Sequence, residues 1–184
     1  LSMTTLTVTA AALLGALTWT LMEYCIHRWL GHRWRRNLFG KEHTRHHAEG
    51  NYFAASWKKG ALASGFLGVT APPAVWATGW AFGAGWAGGL VGFYLYYEWL
   101  HRRAHTHPPR GRYGQWVRRH HFWHHFGDPK VNHGVTTPLW DWVFGTLREP
   151  ALIRVPRKLC MPWLIGPDGQ VPPALQGDYA LRGR

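Results

Sequence analysis

With 184 residues the chain is long enough for one domain, and 21 Lys and Arg against 9 Asp and Glu give a formal charge of +12, which excludes an acidic tail protein. A hydrophobic content of 46% with 13 Trp excludes a disordered basic segment. Cys25 and Cys160 are too few for a disulfide framework or a cysteine-rich zinc site and read as free thiols in a reducing compartment. No zinc finger, aromatic RNA-binding signature or continuous basic helix accompanies the charge, so nucleic acid is not an expected partner.

The cations are unevenly placed: residues 1–27 and 60–101 contain no Lys or Arg, residues 28–59 contain eight and residues 102–184 contain thirteen. The uncharged start predicts a first membrane span over about 5–26. Residues 60–97 hold no charge either, and as one helix they would extend roughly 57 Å where a span needs about 30 Å. The stretch should therefore fold back, giving spans at about 60–79 and 83–101 with a turn between Thr78 and Gly85, among Trp76, Trp80 and Trp86. Pro72 and Pro73 should kink or interrupt the second span. Small residues four apart, at Gly60, Ser64 and Gly68 and at Ala81, Gly85 and Gly89, would let helices approach closely in lipid. All the cations then fall on one side, which the positive-inside rule makes cytosolic, with a bacterial-type inner membrane as the expected site. Six prolines follow residue 149, so residues 147–184 read as an interfacial or mobile segment rather than a regular helix.

The thirteen histidines gather in or beside the two basic segments, 27–59 and 101–146. His43, His46 and His47 are spaced i, i+3, i+4, as are His121, His124 and His125, so each trio shares a helical face. His101 and His105 share a face as well. His27 and His32 lie about 140° apart on an ideal helix, so both can face one site only if the helix ends or bends, and Gly31 is the expected break. The order span, pair, trio occurs twice, implying a site assembled between two half-repeats. Clustered imidazoles repel when protonated and gain little by packing, whereas their neutral nitrogens bind metal. His107 and His120 read as bystanders, and His133 is left open between ligand and structural roles.

The sets His27/His32, His43/His46/His47, Tyr97 with His101/His105, and His121/His124/His125, followed by Asn132-His133-Gly134-Val135-Thr136-Thr137 and Trp140-Asp141-Trp142-Val143-Phe144-Gly145-Thr146, resemble the fatty acid hydroxylase and sterol desaturase superfamily, closest to its fatty acid 2-hydroxylase branch. The resemblance covers roughly residues 20 to 146. It implies an all-α integral membrane protein, one domain over 1–184, with about three transmembrane helices and a cytosolic histidine-rich helical cap holding a dinuclear metal site. The ten histidines of the four sets match the family's ligands. Iron is the implied working metal, with zinc possible in a purified sample. O2 and an external electron donor complete the chemistry, since no side chain cleaves an unactivated C–H bond. The implied substrate is a membrane lipid, most simply a fatty-acyl chain. Carotenoid or sterol-type hydroxylation or desaturation, and non-catalytic metal binding, are the alternatives; a transporter would place its ligands inside the spans.

Glu98 lies three residues before His101 and Glu23 four before His27, so these two and Asp141 are expected to accept hydrogen bonds from ligand imidazoles, with capping or surface ion pairing as the competing role. Tyr97, Tyr94 and Phe93 could line a substrate path or simply pack. Electrons are expected from a separate electron-transfer protein and its reductase, because no flavin, haem or iron–sulfur motif is visible. Arg102, Arg103, Arg110, Arg112, Arg118 and Arg119 form a basic cluster that suits an acidic donor or, equally, lipid phosphates.

Overall fold

The computed structural model describes residues 2–183, which are mostly helical. The chain divides into two units, one formed by residues up to Met22 with Ala54–Glu98, the other by Glu23–Phe53 with the chain from Trp99 onward.

The first unit contains most of α1 (Met3–Cys25), α3 (Ser56–Thr78) and most of α4 (Trp80–Thr106). The stripe that includes Gly85 and Gly89 meets α1 backbone to backbone. A Cβ at Gly89 would lie 1.9 Å from the Ala12 carbonyl oxygen, and one at Gly15 2.0 Å from that of Trp86. Only hydrogen fits at such contacts. Gly60, Gly68, Gly88 and Gly92 have open space where a Cβ would stand. Trp86 Nε1 donates to Thr18 Oγ1 (3.2 Å), and Trp19 packs against Tyr94 and Tyr97 at ring separations of 4.7 and 5.7 Å.

The turn between α3 and α4 falls at Gly79, whose φ of 82° only glycine adopts readily, inside the expected stretch. Pro72 and Pro73 sit within α3 without ending it. Among the described residues one helix, Met3–Arg33, is long and apolar enough to cross a membrane by length and composition. The glycines, prolines and tryptophans of α3 and α4 dilute their hydropathy, so the count of three spans does not follow from composition alone.

In the second unit α1 continues as a π-helical segment (Ile26–Arg33), followed by α2 (Leu38–Glu49), the end of α4, α5 (Gly111–Phe126) and the short α6 (Leu139–Val143). The expected all-α class needs correction here. β1 (Ile153–Pro156) and β2 (Tyr179–Arg182) pair in parallel, Ile153 opposite Tyr179. Residues 147–184, read from sequence as an interfacial or mobile segment, place Ile153, Val155, Met161, Leu164, Val171 and Tyr179 in a buried core with Phe122 and Phe126 of α5. Strands of only four residues leave no alternating pattern long enough to detect.

The glycine contacts make a paired test. Gly89→Ala should cost about 1–3 kcal/mol through overpacking, seen as a lower thermal midpoint in detergent, whereas Gly88→Ala should leave the midpoint in place.

Candidate metal centre

The ten expected ligand histidines form two groups of five. One holds His27, His32, His43, His47 and His124; the other holds His46, His101, His105, His121 and His125, and within each group one nitrogen per ring lies within 4.8 Å of the rest. Each helical trio is divided two to one. α2 sends His43 and His47 to the first group and His46 to the second, while α5 sends His121 and His125 to the second and His124 to the first.

His27 and His32 converge without a helix break. The segment that carries them is π-helical, and i→i+5 hydrogen bonding brings residues five apart onto one face. Gly31 serves another purpose: a Cβ there would meet the His43 ring at 2.9 Å, so its absence lets α2 approach. Asn37 fixes the join, accepting from Gly40 N (2.9 Å) to cap α2 while its amide donates to the carbonyls of Leu30 (2.9 Å) and Trp34 (2.7 Å).

Ring separations show how each group is laid out. His32 lies 4.6–5.2 Å from all four of its companions, whereas His43 and His124 stand 6.4 Å apart on opposite sides. In the second group His105 lies 4.6–5.3 Å from its four companions, and His46 and His121 stand 6.3 Å apart. Each group is thus four rings around one apical ring, with no imidazole of the group on the side opposite the apex. The groups meet at His47 and His125, whose rings stack at 4.0 Å with 9° between their planes.

The nitrogens are set for metal. Nδ1 of His27, His46 and His124 reach the carbonyls of His133 (2.5 Å), Tyr52 (2.7 Å) and Val131 (2.8 Å). A carbonyl only accepts, so those nitrogens carry the proton and their Nε2 atoms are bare lone pairs. Nε2 atoms then face one another across 2.9 Å between His32 and both His43 and His124, and across 3.1 Å between His101 and both His46 and His121. His27 Nε2 and His47 Nε2 are buried with no hydrogen-bond partner among the described residues. Ligands about 2.1 Å from an ion stand at most about 4.2 Å apart, so each group fits one ion after slight closure. Burial, helped by neighbouring imidazoles, holds His43, His105, His121, His124 and His125 well below the ordinary imidazole range and pushes His47 down to about 2.

The carboxylates do different work from that expected. Glu98 is paired with Lys59. Glu23 accepts from Val135 N (2.5 Å), Thr136 N (3.1 Å) and Thr136 Oγ1 (2.6 Å), and it is the His133 carbonyl that takes the His27 proton. Asp141 contacts an imidazole, but that of His120 (3.2 Å), which belongs to neither group. His107 is exposed. His133 is buried outside both groups, its ring 5.2–5.6 Å from those of His27, His32 and His124. Tyr94 and Tyr97 lie against Trp19, and Phe93 against Tyr96.

Arg118 is removed from the basic surface. It is buried, and its guanidinium donates to the carbonyls of Arg103 (2.9 Å), His107 (2.7 Å) and Gly114 (2.9 Å), tying the end of α4 to α5. Arg119 pairs with Asp178 (3.2 Å). Phe53, missed in the sequence, packs against His46, His101 and His105 at 5.5–5.9 Å with the Arg102 guanidinium 4.9 Å from its ring centre. An isolated Phe in a loop gives no sequence signal for that position.

A helical protein with two adjacent five-imidazole groups and no carboxylate among their members is a narrow class. The chain belongs to the fatty acid hydroxylase family, which residues 12–146 match. It is 34% identical over 149 residues to the fatty acid 2-hydroxylase of Rattus norvegicus, covering 73% of this chain and 38% of the relative. It is 30% identical over 152 residues to dihydroceramide fatty acyl 2-hydroxylase FAH2 of Arabidopsis thaliana, covering 72% and 58%. It is 30% identical over 146 residues to ceramide very long chain fatty acid hydroxylase SCS7 of Saccharomyces cerevisiae, covering 74% and 37%. The solved structure of full-length Scs7p, in which only the hydroxylase domain is visible, matches with a TM-score of 0.59 at 26% identity over 80% of this chain and 59% of that one. The chain thus spans about two fifths of the rat and yeast relatives.

Acid should destabilise the metal-free protein. Histidines held below the ordinary range when folded regain it on unfolding, so the unfolded chain takes up protons first as pH falls below about 6.5. Thermal midpoints measured after chelation should hold at neutral pH and fall from there toward pH 5.

Proposed function

We propose that the chain is an O2-dependent lipid hydroxylase with one iron ion in each five-histidine group, oxidising a C–H bond of a fatty-acyl chain. The observation that carries this reading is the pair of all-imidazole groups in a member of the fatty acid hydroxylase family. The relatives act on fatty acids, dihydroceramide and ceramide, which supports an acyl substrate over a carotenoid or sterol. Bound iron supplies the redox chemistry that activates O2, one oxygen atom entering the C–H bond and the other leaving as water with two external electrons and two protons. Zinc would fit the same nitrogens and be inert, because it has no redox chemistry.

The chain's own residues hold and shield. His27, His32, His43, His47 and His124 would hold one ion and His46, His101, His105, His121 and His125 the other, and burial keeps rings such as His43, His105 and His121 neutral. Phe53 and Phe122 lie against the ring of His105 and shield it from water. α1, α3 and α4 cross the membrane in this reading, with Trp76 and Trp80, 90% and 75% exposed, as interfacial anchors and the cations on the cytosolic side. The relatives named above are eukaryotic and lend no support to a bacterial inner membrane. Phe93, Tyr94 and Tyr97 would offer their remaining faces to the acyl chain. Electrons come from a separate carrier and reductase, for which Arg102, Arg103, Arg110 and Arg112 remain as a docking surface.

Cells given 18O2 should yield a hydroxylated acyl lipid carrying one labelled oxygen only when the gene is present, and purified protein should need added reductase and carrier. Sustained turnover without an external reductant would sink the assignment. Anomalous scattering should locate two ions per chain, farther apart than the about 3.5–4 Å of carboxylate-bridged pairs, and His46→Ala or His121→Ala should lose the second-group ion and activity together.

A further inference from the structure

Four hydrogen bonds converge on the carboxylate of Asp141, which is fully buried. Its Oδ1 accepts from His133 N (2.8 Å) and Thr146 Oγ1 (2.7 Å), and its Oδ2 from Gly134 N (2.8 Å) and His120 Nε2 (3.2 Å). Glu23 takes the next two amides, those of Val135 and Thr136. The loop so gripped presents two carbonyls to the first histidine group: His133 O to His27 Nδ1 and Val131 O to His124 Nδ1. Between them Asn132 sits at a φ of 56° and exchanges hydrogen bonds with Arg148, its Oδ1 accepting from Arg148 N (2.8 Å) and its Nδ2 donating to Arg148 O (2.9 Å). The second group draws on another segment, since His46 Nδ1 uses the Tyr52 carbonyl.

The geometry assigns Asp141 as a positioning residue for the first metal site alone. By holding the His133 and Gly134 amides it fixes both peptide planes at His133, and because the Gly134 N–H shares its plane with the His133 carbonyl, that carbonyl is aimed at His27 Nδ1 and fixes the orientation and tautomer of the ring. The carboxylate therefore acts two hydrogen bonds removed from the His27 ring, through backbone rather than by contacting that imidazole itself. This rests on reading the two groups as metal sites. Losing such a partner weakens a metal site by about 10- to 100-fold.

Asp141→Asn preserves shape, but its NH2 cannot accept an N–H, so at least one of the His133 and Gly134 amides loses its acceptor. The probe is Zn2+, titrated into metal-free purified full chain and counted by elemental analysis. The wild type should bind two ions per chain. Asp141→Asn should keep one at unchanged affinity and bind the other about 10- to 100-fold more weakly. Assignment comes from double variants. With the second group disabled by His121→Ala, Asp141→Asn should weaken the remaining site; with the first disabled by His43→Ala, it should change nothing. Thr146→Val, which removes one bond to Asp141 and spares both amides, should keep both ions. Equal weakening of both groups, or no weakening of either, would overturn the assignment while leaving the metal reading intact. A wild type that binds no zinc would overturn both.

Discussion

The structure turns on ten imidazoles pointed at one another, most of them kept neutral by burial. Burial deprives the charged form of water, so each buried ring keeps at most one proton, and His32 Nε2, which faces both His43 and His124, can fill only one of those two gaps. Where the opposite nitrogen already donates to a carbonyl, as in His46 and His124, the inward lone pair has no proton of its own. Lone pairs facing across about 3 Å are repulsive until something positive lies between them. A cation in each group resolves that conflict for five rings at once. The unusual local features, the π-helical segment and the bare Gly31 among them, are what bring the lone pairs to this distance.

The division of each trio makes the two groups one construction. Because α2 and α5 each serve both, a shift of either helix alters the geometry of both groups, and neither site could be assembled from one half-repeat alone. Among the described residues neither group includes a carboxylate, so neither offers a side-chain oxygen to bridge two ions. What joins the groups instead is the face-to-face contact of His47 and His125. That contact keeps the groups adjacent yet distinct, and the loop that reaches His27 and His124 contacts the first group alone.

Much of the site is legible in the sequence because ligand spacing on α-helices is a local property. The two pairs, spaced four and five residues, and the two H-x-x-H-H trios identify all ten members. Their partition is not legible, since His43, His46 and His47 share a face on α2 and the choice of group depends on what packs beside each ring. The spacing of five in His27 and His32 marks a departure from α-helix, but a break at Gly31 and a π-helical turn answer it equally well until α2 is placed against the segment. The carboxylates mislead for a related reason. Helical spacing sets Glu23 near His27, yet the amides of Val135 and Thr136 arrive from more than a hundred residues away and compete successfully for its oxygens. Arg118 reads as surface because its partners are backbone carbonyls, which carry no sequence signature.

The segment after residue 146 lies beyond the family match, and it supplies the backing for α5. Phe122 has one side in the apolar core with Ile153, Met161 and Leu164 and stands 5.1 and 5.5 Å from the rings of His105 and His121. Trp163 adds a hydrogen bond from its indole nitrogen to the Ala104 carbonyl (3.1 Å), next to His105 in α4. Fully burying such side chains is worth about 1.5–3 kcal/mol each, enough that the C-terminal strands and turns hold α5 rather than trail from it. The ligands of the second group therefore owe their position to residues that contribute no ligand. A ring of imidazoles with bare lone pairs would relax apart if its helices could, and the packing behind Phe122 opposes that relaxation on the side of the second group, as the Asp141 loop does on the side of the first.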